Sequence, residues 1–199
     1  MTKGQLCVIS GPSGVGKSTV VREVMRRRPN LRFSVSATTR PIRIGETDGV
    51  NYFFVGRERF DEMLAAGELL EHAEYVGNCY GTPEAPVNEA LENGIDVLLD
   101  IEPLGALQVR SCRPDATLIF MAAPSFAELE HRLRSRGDTP PEKITGRLER
   151  ARWEYRQAPQ YDYIVVNNEI QRAADEVDAI LTAHACRANL RLGYLKEDK

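Results

Sequence analysis

The sequence has few cysteines and no long apolar run. Its four cysteines lie far apart among 199 residues, with no CxxC pair and no histidine at zinc-binding spacing. We therefore expect reduced thiols rather than a disulfide framework or a zinc site. No segment approaches the roughly 18 apolar residues of a membrane-spanning helix, and the first apolar run is too short for a secretion signal. These absences predict a cytoplasmic protein with no membrane partner.

An excess of positive charge is absent as well. The 26 Lys and Arg residues are outnumbered by 29 Asp and Glu residues, which gives a formal net charge of -3. This balance argues against a protein whose whole surface binds nucleic acid, so we expect no nucleic-acid partner. With 42% hydrophobic and 28% charged residues, the composition is typical of a globular protein of one or two domains.

What the sequence does contain is a regular alternation of short apolar runs and helical patterns. Each run is rich in Val, Ile or Leu and almost continuously apolar, as expected for strands that are covered on both faces. The predicted strands span 6–10, 96–101, 116–121 and 162–166. Helical periodicity follows at 17–28 and 125–136, and again from residue 170. The pattern predicts an α/β protein with βαβ units on a parallel sheet.

Two segments interrupt this alternation. Residues 34–82 carry strand-like pieces around a single short helix, which predicts a small mixed insertion. Residues from about 132 to 156 are dense in arginine. An insertion and an arginine-rich segment on a parallel sheet suggest an enzyme that closes over its substrate.

A phosphate-binding motif follows the first predicted strand. Residues 11–18 read GPSGVGKS, the GxxxxGK[ST] arrangement, in its expected place between a strand and a helix. Glycines let backbone N–H groups turn toward a phosphate chain, and the helix N-terminus adds its positive end. Lys17 is expected to reach the β- and γ-phosphates, and the Ser18 hydroxyl to bind Mg²⁺. The predicted ATP-binding residues of this loop are Gly11, Pro12, Ser13, Gly14, Val15, Gly16, Lys17, Ser18 and Thr19.

A second oxygen ligand for Mg²⁺ is expected at the carboxyl end of a strand. Asp100 closes the apolar run 96–101, and Glu102 lies on the same side of the extended chain. An acidic side chain that leaves an apolar strand needs a cationic partner. Asp100 is therefore predicted to bind the metal together with Ser18, and a helix cap or a surface salt bridge is the alternative.

The residues described so far would suit a hydrolase, a switch or a kinase, and more distant stretches distinguish between them. Several separated stretches, in order along the chain, resemble the guanylate kinase family. They are SVSATTRPIRIGETDGVNYFF (34–54), LLEHAEYVGNCYGTP (69–83), LLDIEPLGA (98–106), RLRSRGDTPPEKITGRL (132–148) and YDYIVVN (161–167). The likeness extends from residue 6 to about residue 168, which is most of the chain.

The resemblance implies a fold, a domain organisation and a reaction. The fold is that of a P-loop nucleoside monophosphate kinase, with a parallel sheet core flanked by helices. The implied parts are a core of 1–33, 83–131 and 157–199, an inserted mixed α/β GMP-binding domain of 34–82, and a helical lid of 132–156. The implied reaction transfers the γ-phosphoryl group of ATP to GMP, giving ADP and GDP, by in-line transfer with Mg²⁺ and lid closure. The substrates would be ATP and GMP, and the protein would be a monomer or a homodimer.

The resemblance also implies roles for individual residues. Those that would surround the phosphate of GMP are Ser36, Arg40, Arg43, Tyr52 and Tyr80. Those that would read the guanine are Glu71 and Thr82, with Ser36 as a further candidate, and Asp100 and Glu102 would also bind GMP. Those that would approach the transferring phosphates are Lys17 and the lid arginines Arg132, Arg136 and Arg147. Asn167 would help to hold the adenine end of ATP.

The chemistry of these residue types is consistent with the implied roles. The planar guanidinium of arginine binds phosphate oxygens through paired hydrogen bonds that lysine cannot form. One carboxylate at Glu71 can accept hydrogen bonds from both N1–H and the 2-amino group of guanine. Adenine lacks these donors and would leave a desolvated carboxylate unpaired. The attacking phosphate oxygen of GMP is already anionic, so we expect no general base.

Several alternatives remain at this stage. Tyr52 could pack in a core, and Arg40 or Arg43 could pair with Glu46 or Asp48. The family pattern has Asp at the position of Glu102, and it also differs at Leu104 and Asn168, so the role of Glu102 is less specific. Two rival functions share the fold, a ribose 1,5-bisphosphate phosphokinase and a non-catalytic guanylate-kinase-like binding module. The presence of Glu71 and Thr82 argues against the first rival, and the presence of Lys17 argues against the second.

Overall fold

Strands and helices alternate along the chain, as the sequence predicts. The structure is a computed structural model that describes residues 3–75, 77–135 and 141–195. The strands of those residues are β1 (Leu6–Ser10), β2 (Leu31–Phe33), β3 (Ala37–Thr38), β4 (Phe53–Phe54), β5 (Leu69–Tyr75), β6 (Asn78–Pro83), β7 (Asp96–Asp100), β8 (Thr117–Ala122) and β9 (Tyr163–Val166). The helices are α1 (Lys17–Arg27), α2 (Arg57–Ala65), α3 (Glu84–Glu92), α4 (Pro103–Cys112), α5 (Phe126–Ser135), α6 (Pro141–Tyr155), α7 (Ile170–Ala185) and α8 (Ala188–Arg191), with 3-10 turns at Ala158–Gln160 and Leu192–Leu195. None of these helices is both long and apolar enough to cross a membrane.

Five strands form a parallel sheet in the order β2-β7-β1-β8-β9. Each neighbouring pair runs in the same direction, as the βαβ pattern predicts. The predicted strand at 6–10 has the same bounds in the structure, and the other three agree to within one residue at each end. The prediction of an α/β protein with a parallel sheet is confirmed.

Alternate residues of each strand enter two separate cores, one on either face of the sheet. In β1, Cys7 and Ile9 pack with α1 and α7, whereas Leu6 and Val8 pack with α3 and α4. All four side chains are buried, and burying one aliphatic side chain contributes about 1.5–3 kcal/mol. Because both faces are covered, the strands read as continuous apolar runs. The packed strands therefore fix the positions of the loops that follow their carboxyl ends.

A second sheet, of four strands, lies within residues 34–83. Its order is β4-β3-β6-β5, with β3 and β4 parallel and the other two pairs antiparallel. Helix α2 covers it through a small core that includes Ala37, Phe60, Met63 and Cys79. The mixed insertion around one short helix is thus present as predicted. Its treatment as a separate GMP-binding domain stays a prediction.

Helices α5 and α6 carry the arginine-rich segment and pack against the main core. Leu129 and Leu133 of α5 and Ala151 of α6 belong to the same cluster as α1 and α7. The tyrosine at the end of α6, Tyr155, accepts a hydrogen bond at its hydroxyl from the backbone N–H of Ala123 (3.0 Å). These contacts anchor both helices, and the proposed lid motion of residues 132–156 stays a prediction.

Candidate active site

The predicted phosphate loop joins β1 to α1. Gly11, Gly14 and Gly16 have φ values of 142°, 90° and 88°, a region in which residues with a side chain are strained. A Cβ at Gly11 would lie 2.2 Å from the backbone oxygen of Met121, so only glycine fits there. Ser18 and Thr19 lie exposed on the first turn of α1. The loop therefore has the backbone turn that a phosphate cradle requires, in front of a helix N-terminus.

Lys17 and Asn167 make the side-chain contacts of this loop. The Lys17 Nζ donates a hydrogen bond to the backbone oxygen of Gly11 (2.6 Å). The Asn167 Nδ2 donates to the backbone oxygen of Val15 (2.7 Å), and the Asn167 backbone N–H donates to Ala122 (2.8 Å). Asn167 is buried. Asn167 therefore connects the phosphate loop, which its side chain contacts, to the end of β8, which its backbone contacts. Its contact with adenine stays a prediction.

One cavity of about 430 Å³ brings most of the predicted acceptor-site residues together with Lys17. It lies between the end of β7, the phosphate loop and the inner face of the four-stranded sheet. The residues that line it are Lys17, Ser36, Arg40, Arg43, Glu46, Tyr52, Glu71, Ala73, Tyr75, Tyr80, Asp100, Ile101 and Glu102. Thr82 does not line the cavity, but its hydroxyl donates a hydrogen bond to Glu71, which does. The phosphate loop and the insertion thus share one space.

Arg40 lies at one end of this cavity, and Glu46 and Pro41 hold its guanidinium in place. Its side chain is 9% exposed, and its Nη2 donates to Glu46 Oε1 (2.7 Å) while Nη1 donates to the backbone oxygen of Pro41 (2.7 Å). Glu46 Oε2 accepts from the backbone N–H of Arg43 (2.9 Å). Hydrogen bonding to Glu46 raises the pKa of Arg40. The pairing with Glu46 that the sequence left as an alternative is therefore present, and Arg40 lines the cavity at the same time.

Two aromatic rings lie beside the Arg40 guanidinium, and a third packs against one of them. Its Cζ lies 5.4 Å from the ring centroid of Tyr52 and 5.6 Å from that of Phe54, within the range of cation–π attraction. Tyr52 and Tyr80 meet edge to face with centroids 6.0 Å apart. Tyr52 is half-buried and lines the cavity. The two interpretations of Tyr52, packing and contact with a ligand, are thus compatible in this structure.

Glu71 lies at a different part of the cavity, on β5. A bulge between Leu69 and Glu71 pairs Glu71 with Thr82 of β6, and such irregularities often redirect a side chain beside a binding site. The Thr82 hydroxyl donates to Glu71 Oε1 (2.6 Å). Only 6% of Glu71 is exposed, and burial raises the pKa of its carboxyl group. This carboxylate is desolvated, directed at a cavity, and partly satisfied by one hydroxyl.

Asp100 and Glu102 lie at the end of β7. Burial raises the pKa of Asp100, and the nearby charge of Lys17 opposes that shift. The Glu102 Oε2 accepts a hydrogen bond from Arg150 Nη2 of α6 (3.2 Å), and Arg150 Nε donates to the buried Glu154 (3.2 Å). In the residues that the structure describes, no three His, Cys, Asp or Glu side chains converge as a metal site.

The predicted lid arginines have different positions. Arg132 of α5 donates from Nε to Glu128 (2.7 Å) and from Nη1 to the backbone oxygen of Asn167 (3.1 Å), so it adjoins the phosphate loop. Arg147 lies half-buried on α6. Arg136 lies outside the described residues. The approach of these arginines to a transferring phosphate stays a prediction.

Some residues of the site were not predicted from the sequence. Ala73 and Tyr75 line the cavity beside Glu71, and the two-residue period of strand β5 is a signal that could have found them. Glu154 is a buried carboxylate whose pKa burial raises. Its only local signal is the four-residue spacing from Arg150 on one helix. The contact between Arg150 and Glu102 joins residues 48 positions apart, and no local pattern reveals it.

The fold and the cavity together define a class of protein. A phosphate loop at the carboxyl end of the central strand of a parallel sheet faces a second site that holds a buried arginine and a buried carboxylate. That arrangement is the one expected of a P-loop kinase that phosphorylates a small acceptor carrying both a phosphate and a polar base.

Comparison with known proteins identifies the family within that class. The family model described as Guanylate kinase matches residues 3–184. A curated guanylate kinase of Thermus thermophilus is 51% identical over 195 residues, which are 98% of this chain and 88% of that protein. One from Carboxydothermus hydrogenoformans is 46% identical over 98% of this chain and 95% of its own length. The crystal structure of guanylate kinase from Anaplasma phagocytophilum superposes with a TM-score of 0.74 at 33% identity, covering 99% of this chain and 98% of its own. The chain belongs to the guanylate kinase family, so the resemblance and the P-loop kinase fold implied by the sequence are confirmed.

Proposed function

We propose that this protein transfers the γ-phosphoryl group of ATP to GMP. The observation that carries the proposal is the single cavity in which Lys17, Arg40 and Glu71 meet. The phosphate-loop lysine belongs to the donor side, and the arginine and the carboxylate belong to the acceptor side. A chain of the guanylate kinase family with such a cavity has the groups that the reaction needs within one cleft.

The donor nucleotide is held by the loop between β1 and α1. Its positive-φ glycines and the N-terminus of α1 present backbone N–H groups to the phosphates, and Lys17 supplies a full positive charge. Lys17 exchanges its hydrogen bond with Gly11 for one with phosphate oxygens. Because phosphoryl transfer depends on alignment and on charge stabilisation, these groups can supply most of the catalysis.

Mg²⁺ accompanies the donor. The Ser18 hydroxyl and the Asp100 carboxylate are hard oxygen donors of the kind that Mg²⁺ prefers. Asp100 is a half-buried carboxylate whose pKa is raised by loss of solvent, and a divalent cation would favour its ionised form. Ser18 and Asp100 would hold the metal, which when bound would supply positive charge against the donor phosphates.

The phosphate of GMP lies at the Arg40 end of the cavity. Glu46 and Pro41 fix the guanidinium, which leaves its remaining N–H groups for a ligand. Arg43 adds a second cation three residues away, and the hydroxyls of Tyr52 and Tyr80 add neutral donors. A preformed guanidinium loses little side-chain entropy when it binds a phosphate.

The guanine lies at the Glu71 end of the cavity. The carboxylate accepts hydrogen bonds from N1–H and the 2-amino group, and Thr82 holds it in place. Adenine would leave this desolvated carboxylate without those donors. Sites of this kind discriminate by factors of up to about 10⁴–10⁵. Glu71 is therefore the main source of base selectivity.

The test is an assay of ADP release with ATP, Mg²⁺ and one of three acceptors. We expect turnover with GMP, much slower turnover with AMP, and none with ribose 1,5-bisphosphate. Preferred use of ribose 1,5-bisphosphate would support the rival kinase of the same fold. Absence of turnover with all three acceptors would support a binding module and overturn the proposal.

A further inference from the structure

Helix α4 lies along strand β5 and contacts it with one face. Gly105, Gln108 and Cys112 follow one another at three- and four-residue intervals, the spacing that places residues on one side of a helix. Their partners on β5 are Glu71, His72 and Leu70, in that order. One stripe of α4 therefore contacts three neighbouring residues of the strand, and the buried carboxylate belongs to the middle one, Glu71.

Gly105 leaves space for the Glu71 carboxylate. A Cβ at Gly105 would lie 2.5 Å from Glu71 Oε2 and 3.1 Å from Glu71 Cδ. Gly105 lies inside α4 and is not among the glycines with positive φ. Its backbone conformation is therefore open to any residue, so clearance for the carboxylate, and not conformation, is what glycine provides here.

Gln108 fixes the residue next to Glu71. Its Oε1 accepts a hydrogen bond from the His72 backbone N–H (2.9 Å), and its Nε2 donates to the His72 backbone oxygen (2.9 Å). The side-chain amide thus pairs with both polar groups of one strand residue, as a neighbouring strand would. This two-point contact sets the position of β5 relative to the end of β7, where α4 begins.

We propose that Gly105 and Gln108 are positioning residues for guanine selectivity. Gly105 lets the carboxylate of Glu71 lie against the backbone of α4, and Gln108 holds the strand that carries it. Neither residue lines the cavity, so both act through Glu71. The inference rests on the proposed use of GMP, and it adds the feature that fixes the orientation of the base-reading group.

The test compares Gly105→Ala and Gln108→Met with the wild-type protein, using GMP and inosine monophosphate as acceptors. Inosine monophosphate keeps N1–H but lacks the 2-amino group, so it makes one hydrogen bond fewer to the Glu71 carboxylate. Its binding should therefore weaken less than that of GMP when the carboxylate moves. We expect Gly105→Ala to raise the KM for GMP about tenfold or more, as for a lost hydrogen bond to a charged group, and to reduce the preference for GMP over inosine monophosphate similarly. The KM for ATP should stay within about twofold of the wild-type value. Gln108→Met should act in the same direction with a smaller effect, because it removes the strand contact without the direct clash.

Gly193→Ala is the matched control, because a Cβ at Gly193 would meet nothing within 4 Å. It should leave the KM for GMP and the KM for ATP unchanged. The proposal would be overturned if both test variants kept the wild-type preference between the two acceptors, including the case in which kcat falls equally for both. Failure of the proposed function is distinguishable, since the wild-type protein itself would then not convert GMP.

Discussion

At the scale of single residues, the acceptor cavity has two contrasting buried groups. Arg40 is paired with Glu46 and remains a cation, whereas Glu71 is held by a hydrogen bond from the neutral Thr82 hydroxyl. A buried carboxylate with spare acceptor capacity is costly until a ligand supplies donors. The contrast explains why one end of the cavity suits a phosphate and the other suits a base rich in N–H groups.

Replacing Glu71 by Gln should impair the use of GMP selectively. An amide donates from one side, so it cannot accept hydrogen bonds from both N1–H and the 2-amino group. We expect kcat/KM for GMP to fall by about 100-fold or more, and the KM for ATP to change by less than about twofold. Steady-state kinetics with each nucleotide varied in turn would measure both values. Glu74→Gln is the matched control, because Glu74 lies exposed on the same strand. Wild-type GMP kinetics in Glu71→Gln would refute the role of Glu71.

The affinity for GMP should depend on pH through Glu71. Burial raises the pKa of Glu71 above its ordinary value of 4.5, and the nearby charge of Glu102 acts in the same direction. The donors of guanine favour the ionised carboxylate, so binding is strongest above the raised pKa and weakens as the pH falls through it. We expect the KM for GMP to rise toward acid pH. The phosphate of GMP also takes up a proton at a pKa of about 6, so the pH profile of Glu71→Gln supplies the baseline. Identical profile shapes for the two proteins would contradict this prediction.

Residue types indicated these roles from the sequence, but their partners were not predictable. Arginine, tyrosine and glutamate within motifs of a known family suggest phosphate and guanine contacts. By contrast, the clearance at Gly105 and the contact from Asn167 to Val15 join residues that are far apart along the chain. Only the folded chain brings such residues together, so local patterns carry no signal for them.

At the scale of elements, the phosphate loop is stabilised by the strand ends around it. Gly11 lies against Met121 of β8, and the Asn167 side chain after β9 holds Val15. A Cβ at Gly16 would lie 2.5 Å from Asn167 Nδ2, so the loop and the asparagine fit closely. The backbone turn of the loop is therefore fixed before a nucleotide binds.

Replacing Asn167 by Ala should loosen this loop. The variant leaves the buried oxygen of Val15 without its donor, which typically costs about 1–3 kcal/mol of unfolding free energy. We expect a several-fold rise in the KM for ATP, with the KM for GMP unchanged. Thermal unfolding and steady-state kinetics would measure the two effects. Asn168→Ala, at the exposed neighbouring position, should change neither quantity. An unchanged KM for ATP in Asn167→Ala would show that the contact does not shape the donor site.

The elements of the main sheet were the most predictable part of the fold. Continuous apolar runs gave β1, β7, β8 and β9 almost to the residue, because strands covered on both faces carry a strong and simple pattern. The short strands β2 and β3 and the longer strand β6 were not predicted. Two or three residues carry no recognisable periodicity, and β6 contains Gly81 and Thr82 where apolar residues would otherwise mark a strand.

At the scale of the whole molecule, two sheets meet around one cavity. The parallel sheet contributes the phosphate loop and Asp100, and the four-stranded sheet contributes Glu71 and Tyr80. Helix α4 connects them, since it begins after β7 and packs along β5. This arrangement allows a donor and an acceptor nucleotide to bind next to each other. The order of motifs in the sequence implied two sites, but only the fold shows that they share one space.

The most direct test of the central claim follows the phosphoryl group itself. The wild-type protein is given ATP labelled in the γ-phosphate, Mg²⁺, and equal concentrations of GMP and AMP, and the labelled products are separated. We expect nearly all transferred label in GDP, and no transfer with Lys17→Ala. Label in ADP formed from AMP, or released mainly as inorganic phosphate while GMP is present, would contradict it.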